Sequence, residues 1–213
     1  MREPLAPIPR TICLAGADGA GKSTQADRLA RRLQARGLAV RVCTIWDLMA
    51  AGGIPFNSKA DIDAFLASLH GPARAMFLHM AMREALDRAL DDRGDAIVLV
   101  VGYWLKYNAT ERAYGGDPVL LDALAASFPP LSLGLHLDLP PVVALARKGE
   151  VSGYESGMRG KAGFLAFQQA VAPVLADLRA HSGMDWVAID AEPSPEDVEQ
   201  TIGLYVDAWL APC

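Results

Sequence analysis

The sequence predicts an α/β fold, a doubly wound five-stranded parallel sheet with helices on both faces. Three observations carry that expectation. Apolar runs of strand length alternate with segments of helical spacing along the whole chain. The runs are continuous rather than alternating, as in Ala96-Ile97-Val98-Leu99-Val100-Val101, so their strands need cover on both sides. A glycine-rich turn, residues 16–24, separates the first run from the first helical pattern, at a strand's carboxyl end where open α/β sheets bind ligands.

Taken in order, residues 1–9 form a tail too polar and proline-rich for a signal peptide, and Thr11-Ile12-Cys13-Leu14-Ala15 is the first strand. Leu29, Leu33 and alanines 26, 30 and 35 recur at helical spacing among arginines over 21–36, and Gly37 stops that helix. Residues 39–45 give strand two and 48–59, with Gly52-Gly53 and Pro55, a loop. A short helix over 61–69 precedes a long one from Pro72 to Asp92, with proline suited to its first turn. After strand three at 96–101 comes a loop, then a helix over 118–127 and strand four over 131–139. A helix from Pro141 runs into the glycine-rich stretch 149–163. A helix over 164–181, strand five over 186–189 and a final helix over 195–209 complete the alternation. No repeat or linker interrupts it, so residues 1–213 are expected to form one domain.

Hydrophobic residues make up 52% and charged residues 21% of the chain, a globular balance. The net charge of −5 argues against a general nucleic-acid-binding surface, and no stretch is apolar and long enough to span a bilayer. Neither nucleic acid nor membrane is therefore an expected partner, and the cytoplasm is the expected compartment. Cys13, Cys43 and Cys213 are odd in number and far apart, which favours free thiols over a disulfide or zinc site.

Gly16-Ala17-Asp18-Gly19-Ala20-Gly21-Lys22-Ser23-Thr24 fits the P-loop pattern G-x-x-x-x-G-K-[ST] in its required strand–turn–helix context. The fold is thus expected to be of P-loop NTPase type. The glycines let backbone N–H groups turn toward a polyphosphate, and the following helix adds free N–H groups and its positive dipole end. Gly16, Gly19, Ala20, Gly21 and Thr24 would cradle the phosphates, Lys22 would reach the β- and γ-phosphates, and Ser23 would ligate Mg²⁺. ATP and Mg²⁺ are the expected cofactors.

Asp18-Gly19-Ala20-Gly21-Lys22-Ser23-Thr24-Gln25 resembles the P-loop of thymidylate kinases. Leu137-Asp138-Leu139-Pro140-Pro141-Val142-Val143-Ala144-Leu145-Ala146-Arg147 resembles their segment after the fourth strand, Tyr154-Glu155 their lid, and Ile189-Asp190-Ala191 their closing strand and adenine-side loop. The likeness runs from about residue 10 to 206 and is thin between 46 and 115. It implies phosphoryl transfer from ATP to a nucleoside monophosphate, dTMP to dTDP, with residues 148–163 as a mobile lid and a homodimeric assembly. It also implies that Asp18 holds the acceptor sugar, Arg83 the base edge, His79 the stacking position, Tyr154 the sugar face and Ala191 the adenine side.

The departures fall on the acceptor. Where the family carries Asp-Arg-Tyr after strand three, this chain has Val101-Gly102-Tyr103, leaving Tyr103 as the matching acceptor contact. Lys106 is the candidate to supply the lost cation and Asp47, after strand two, the lost carboxylate near Mg²⁺. Arg147 and Arg159 are candidates to neutralise the transferring phosphoryl group. Each has an ordinary counterpart: a turn aspartate for Asp18 and Asp47, a satisfied core histidine for His79, a solvated arginine for Arg83, a lysine snorkelling over aromatics for Lys106, and a plain flexible loop for 148–163. The same residues leave room for a P-loop kinase with another small acceptor, since an unphosphorylated acceptor needs no arginine, or for an ATP-binding regulator without useful turnover.

Overall fold

Strand order, not strand count, sets where this molecule can bind a ligand. In a computed structural model describing residues 6–50, 56, 58–91 and 93–211, the sheet runs β2-β3-β1-β4-β5 with every pairing parallel. The strands are β1 (Ile8–Gly16), β2 (Val40–Thr44), β3 (Ile97–Val101), β4 (Leu131–Asp138) and β5 (Trp186–Asp190). The chain leaves β1 for β2 on one side and later crosses to β4 on the other, so the order reverses beside β1 and a crevice opens at its carboxyl end. The predicted doubly wound parallel sheet is the architecture found.

One layer packs α1 (Lys22–Ala35) and α9 (Pro195–Leu210) on Ile12, Leu14, Leu135 and Leu137. The other packs α4 (Gly71–Asp91), α5 (Trp104–Ala113) and α8 (Gly160–Ala180) on Cys13, Val98 and Val100. The all-buried β3 lies between the layers, which is why its five residues are all apolar. Gly134 of β4 lies directly under the Trp186 ring, where an added Cβ would approach to 2.4 Å. Cys13 and Cys43 are buried free thiols, as expected; Cys213 lies outside the described residues.

The remaining helices are α2 (Asp47–Ala50), α3 (Lys59–Ser68), α6 (Pro118–Ala125) and α7 (Pro141–Arg147), with a 3₁₀ turn at Tyr154–Ser156. Several expected boundaries change. The tail is shorter than residues 1–9, because β1 begins at Ile8; Arg10 takes φ 57° and shifts the register between Ile8 and Ile12. The loop expected at 48–59 contains the end of α2 and lies partly outside the described residues, at 51–55 and 57. The loop expected after strand three is α5. That helix is buried on most sides, so no polar stripe marks its period.

Candidate active site

The turn after β1 takes its shape from its glycines. Gly16, Gly19 and Gly21 have φ of 145°, 91° and 87°, values that L side chains rarely adopt. A Cβ on Gly16 would also strike the Leu137 carbonyl oxygen at 2.5 Å, so β4 packs directly against the loop. Gly21 caps α1 with no side-chain hydrogen bond and no acidic residue in the first turn. The first helical bond runs from the Gln25 amide to Gly21 (2.9 Å), leaving the amides of Lys22, Ser23 and Thr24 as first-turn donors for an anion. The Lys22 ammonium donates to the loop's own carbonyls, Gly16 at 3.1 Å and Ala17 at 2.7 Å.

Two clefts flank this loop. The first, of about 390 Å³, is lined by Asp18, Lys22 and Ser23, by Ile45, Trp46 and Leu78, by Lys106 and Tyr107 of α5, and by Lys148, Tyr154 and Glu155 of the lid. The second, about 480 Å³, lies on the other side of Gly19–Gly21, between Arg147 and Ala191–Pro195. Thr24 borders both. The loop therefore stands between the two clefts, and Lys148, Tyr154 and Glu155 overhang the first.

In the first cleft the cations converge on Asp18. Lys106 Nζ lies 2.6 Å and Lys22 Nζ 3.7 Å from Asp18 Oδ1. Burial alone would raise the Asp18 pKa, but the Lys106 and then the Lys22 ammonium outweigh it and bring it down to about 2. Burial lowers Lys22 to about 8, with Asp18 offsetting only part. Burial also acts to lower Lys106, yet Asp18 overrides it and the pKa rises. The Lys106 stem passes over Gly102, where an added Cβ would lie 3.7 Å from its Cδ. Lys106, in the first turn of α5, thus brings an ammonium to Asp18 beside the end of β3. Lys148 pairs with Glu155 across the lid.

A second constellation escaped the sequence reading. Arg74 of α4 donates from Nε and Nη2 to Glu111 of α5 at 2.8 and 3.0 Å, with both side chains buried. Tyr154 donates its hydroxyl to Glu111 Oε1 at 3.0 Å, and the Tyr114 hydroxyl donates to the Tyr154 carbonyl at 2.9 Å. The Arg74 guanidinium sits 4.3 Å from the Tyr114 ring centre. Gln168 of α8 donates to the Glu155 carbonyl (2.8 Å) and continues the anchorage. The middle of the lid is therefore fastened to α4, α5 and α8.

Several expected residues lie elsewhere. His79 is 2% exposed, bonds the Ala75 carbonyl through Nδ1 at 2.8 Å and faces Phe128. Arg83, one turn on, pairs with Asp87 and donates to the Ser127 carbonyl. The two do share a helical face, but it turns toward residues 127–128; the α4 side chain that borders the cleft is Leu78. Tyr103 is fully buried, with its hydroxyl on Pro129 O at 2.6 Å. Asp47 accepts from the Thr44 amide (2.8 Å) and hydroxyl (3.0 Å) and borders a separate surface groove with Arg41 and Arg88. Arg147 donates to the Ala191 and Glu192 carbonyls at 2.6 Å each and lines the second cleft. Arg159 is exposed at the start of α8.

The residues present suit magnesium better than an all-protein metal cage. Among the described residues no group of three or more His, Cys, Asp or Glu converges. Magnesium keeps waters and substrate phosphates and needs few protein ligands, and the exposed Ser23 hydroxyl borders the cleft at the P-loop.

No protein-family model matches the chain. It is similar to the thymidylate kinase of Synechococcus sp. (strain WH7803), 32% identical over 218 residues covering 95% of this chain and 97% of that protein. It is similar to that of Rhodopseudomonas palustris, 30% identical over 209 residues, covering 91% and 86%. The likeness to the thymidylate kinase of Magnetococcus marinus is 29% over 216 residues, covering 93% and 95%.

Proposed function

The chain belongs to the thymidylate kinase family, and on that premise we propose how its own residues carry phosphate from ATP to dTMP. It is a kinase in which ATP is the donor and a small nucleotide the acceptor. The buried Asp18–Lys106–Lys22 cluster at the junction of the two clefts carries the reading of the site.

In this proposal the amides from Gly19 to Thr24 and the Lys22 ammonium hold the triphosphate, exchanging the loop carbonyls for phosphate oxygens. The adenine side lies along Arg147, Ala191 and Pro195. Ser23 would hold Mg²⁺, which would supply charge neutralisation to the triphosphate. Asp18 receives the acceptor sugar hydroxyl and holds Lys106 toward the acceptor phosphate. Lys22, Lys106 and Lys148 spread positive charge around the in-line path, and the lid excludes water. Tyr154, its hydroxyl committed to Glu111, offers the acceptor its ring. His79, Arg83, Tyr103, Asp47 and Arg159 take no part at the reacting atoms in this scheme.

The proposal includes a single domain over residues 1–213, with 148–163 as a lid that moves at its two ends and stays fastened at Tyr154. It includes a cytoplasmic location and a homodimer; Met76 and Met80, 47% and 51% exposed on one side of α4, support an apolar contact there. ADP release with Mg²⁺-ATP against dTMP, dUMP, other monophosphates and nucleosides tests the function. The expected result is strong turnover with dTMP that Lys22→Ala abolishes; turnover only with an unphosphorylated acceptor would overturn it.

A further inference from the structure

Behind the P-loop, on the side away from both clefts, β4 turns a polar face toward α8. Ser132, Gly134, His136 and Asp138 alternate onto that face, while Leu133, Leu135 and Leu137 join the layer under α1 and α9. A cavity of about 220 Å³ lies between His136 and Asp138 of β4 and Gln168 and Arg179 of α8, with Ala17 of the P-loop also on its lining.

Two polar nitrogens there lack partners. His136 Nδ1 and Arg179 Nη1 are both buried and make no hydrogen bond. A buried guanidinium N–H left unmade costs more than a neutral one. The neighbouring polar groups do not compensate. Gln168 Nε2 is spent on the Glu155 carbonyl, and Asp138 is exposed at the strand end. Asp190, the register neighbour of Asp138 on β5, accepts the Glu192 amide. Burial first, then the Arg179 charge, pulls the His136 pKa down to about 4, with Asp138 acting the other way and Lys22 adding to the fall. Near neutral pH the cavity therefore holds one cation and one neutral imidazole, with the exposed Asp138 carboxylate as the anion on its lining.

We infer that this cavity is a binding site for a compact oxyanion, gripped by the Arg179 guanidinium and by a ring N–H of His136. The bound group would lie against Ala17, whose carbonyl holds the Lys22 ammonium in the empty loop. The site is thus separate from the triphosphate cradle yet shares one residue with it. The exposed Asp138 carboxylate disfavours bulky, highly charged ligands.

The test follows the His136 ring signal by NMR in the full chain, assigned by its loss in His136→Gln. Inorganic phosphate is the probe, with acetate in a parallel titration. Phosphate is expected to move the signal saturably and to raise its pH midpoint by about one unit or more. Both effects should vanish in Arg179→Gln and return in part in Arg179→Lys, each checked for native circular dichroism. A response to acetate as well would support the site and extend the class to carboxylates. A signal that ignores both anions, or one that moves equally in Arg179→Gln because phosphate acts from the P-loop, would overturn it.

Discussion

The donor and acceptor halves of this kinase are built from the same kinds of residue but by different rules. The donor half is a single contiguous segment, Gly16 to Thr24, whose glycine torsions and helix start create an anion cradle locally. The acceptor half is assembled from α4, α5 and the lid, and its charges are paired in advance: Arg74 with Glu111, Lys106 with Asp18, Lys148 with Glu155. A local cradle tolerates few changes of residue type. A tertiary assembly can draw a cation from any neighbouring element, as Lys106 of α5 reaches Asp18 over Gly102.

The largest expected effect tests whether the acceptor half depends on its pre-paired charges. Arg74→Ala leaves the Glu111 carboxylate buried with Tyr154 and should cost about 3–5 kcal/mol, the range for breaking a buried ion pair. In a chain of this size that lowers Tm by roughly 10 °C. Thermal unfolding measures it, and a drop no larger than that of an exposed pair would deny the network its anchoring role. Next, Lys22→Ala should lower kcat by about 100- to 1000-fold, as for removal of one group that stabilises transition-state charge. Single-turnover kinetics with saturating dTMP reads this directly.

A smaller effect comes from pH and belongs to the donor half alone. With Lys22 at about 8, ATP affinity should be flat below that pH and weaken toward tenfold per unit above it, because the phosphates need the ammonium. Stability runs the other way. Lys22 is depressed from 10.5, so between about pH 8 and 10.5 the folded chain binds fewer protons there than the unfolded one, and this residue's contribution rises with pH. Calorimetric ATP titrations from pH 6 to 10 check the first; a flat profile would mean that Lys22 stays charged in the empty site. The smallest effect sharpens the boundary of the acceptor half: Arg83→Ala, at an exposed pair with Asp87, should change stability by no more than about 1 kcal/mol and leave the dTMP KM unchanged.

The same division explains what could be read without a structure. The fold was legible because the strands are continuous apolar runs, and the P-loop because its chemistry is contiguous. α5 was not, since Trp104, Leu105, Tyr107, Asn108, Thr110 and Glu111 are buried around its circumference and leave no stripe to detect. Arg74 goes unmarked in the long helix and Glu111 in the expected loop; only packing brings them together beneath Tyr154. The spacing of His79 and Arg83 correctly put them on one face, but spacing alone does not say which neighbour that face meets. Leu78, one residue away, is the side chain that borders the cleft.

The central claim is that Lys106, reaching over Gly102 to Asp18, has taken over the acceptor cation missing from the strand end. The direct measurement is steady-state kinetics of Lys106→Ala with both substrates varied. The account predicts a dTMP KM higher by about 10- to 100-fold, the loss of a charge-assisted hydrogen bond, with the ATP KM within about twofold of the parent. An unchanged dTMP KM and kcat in a folded variant would contradict it.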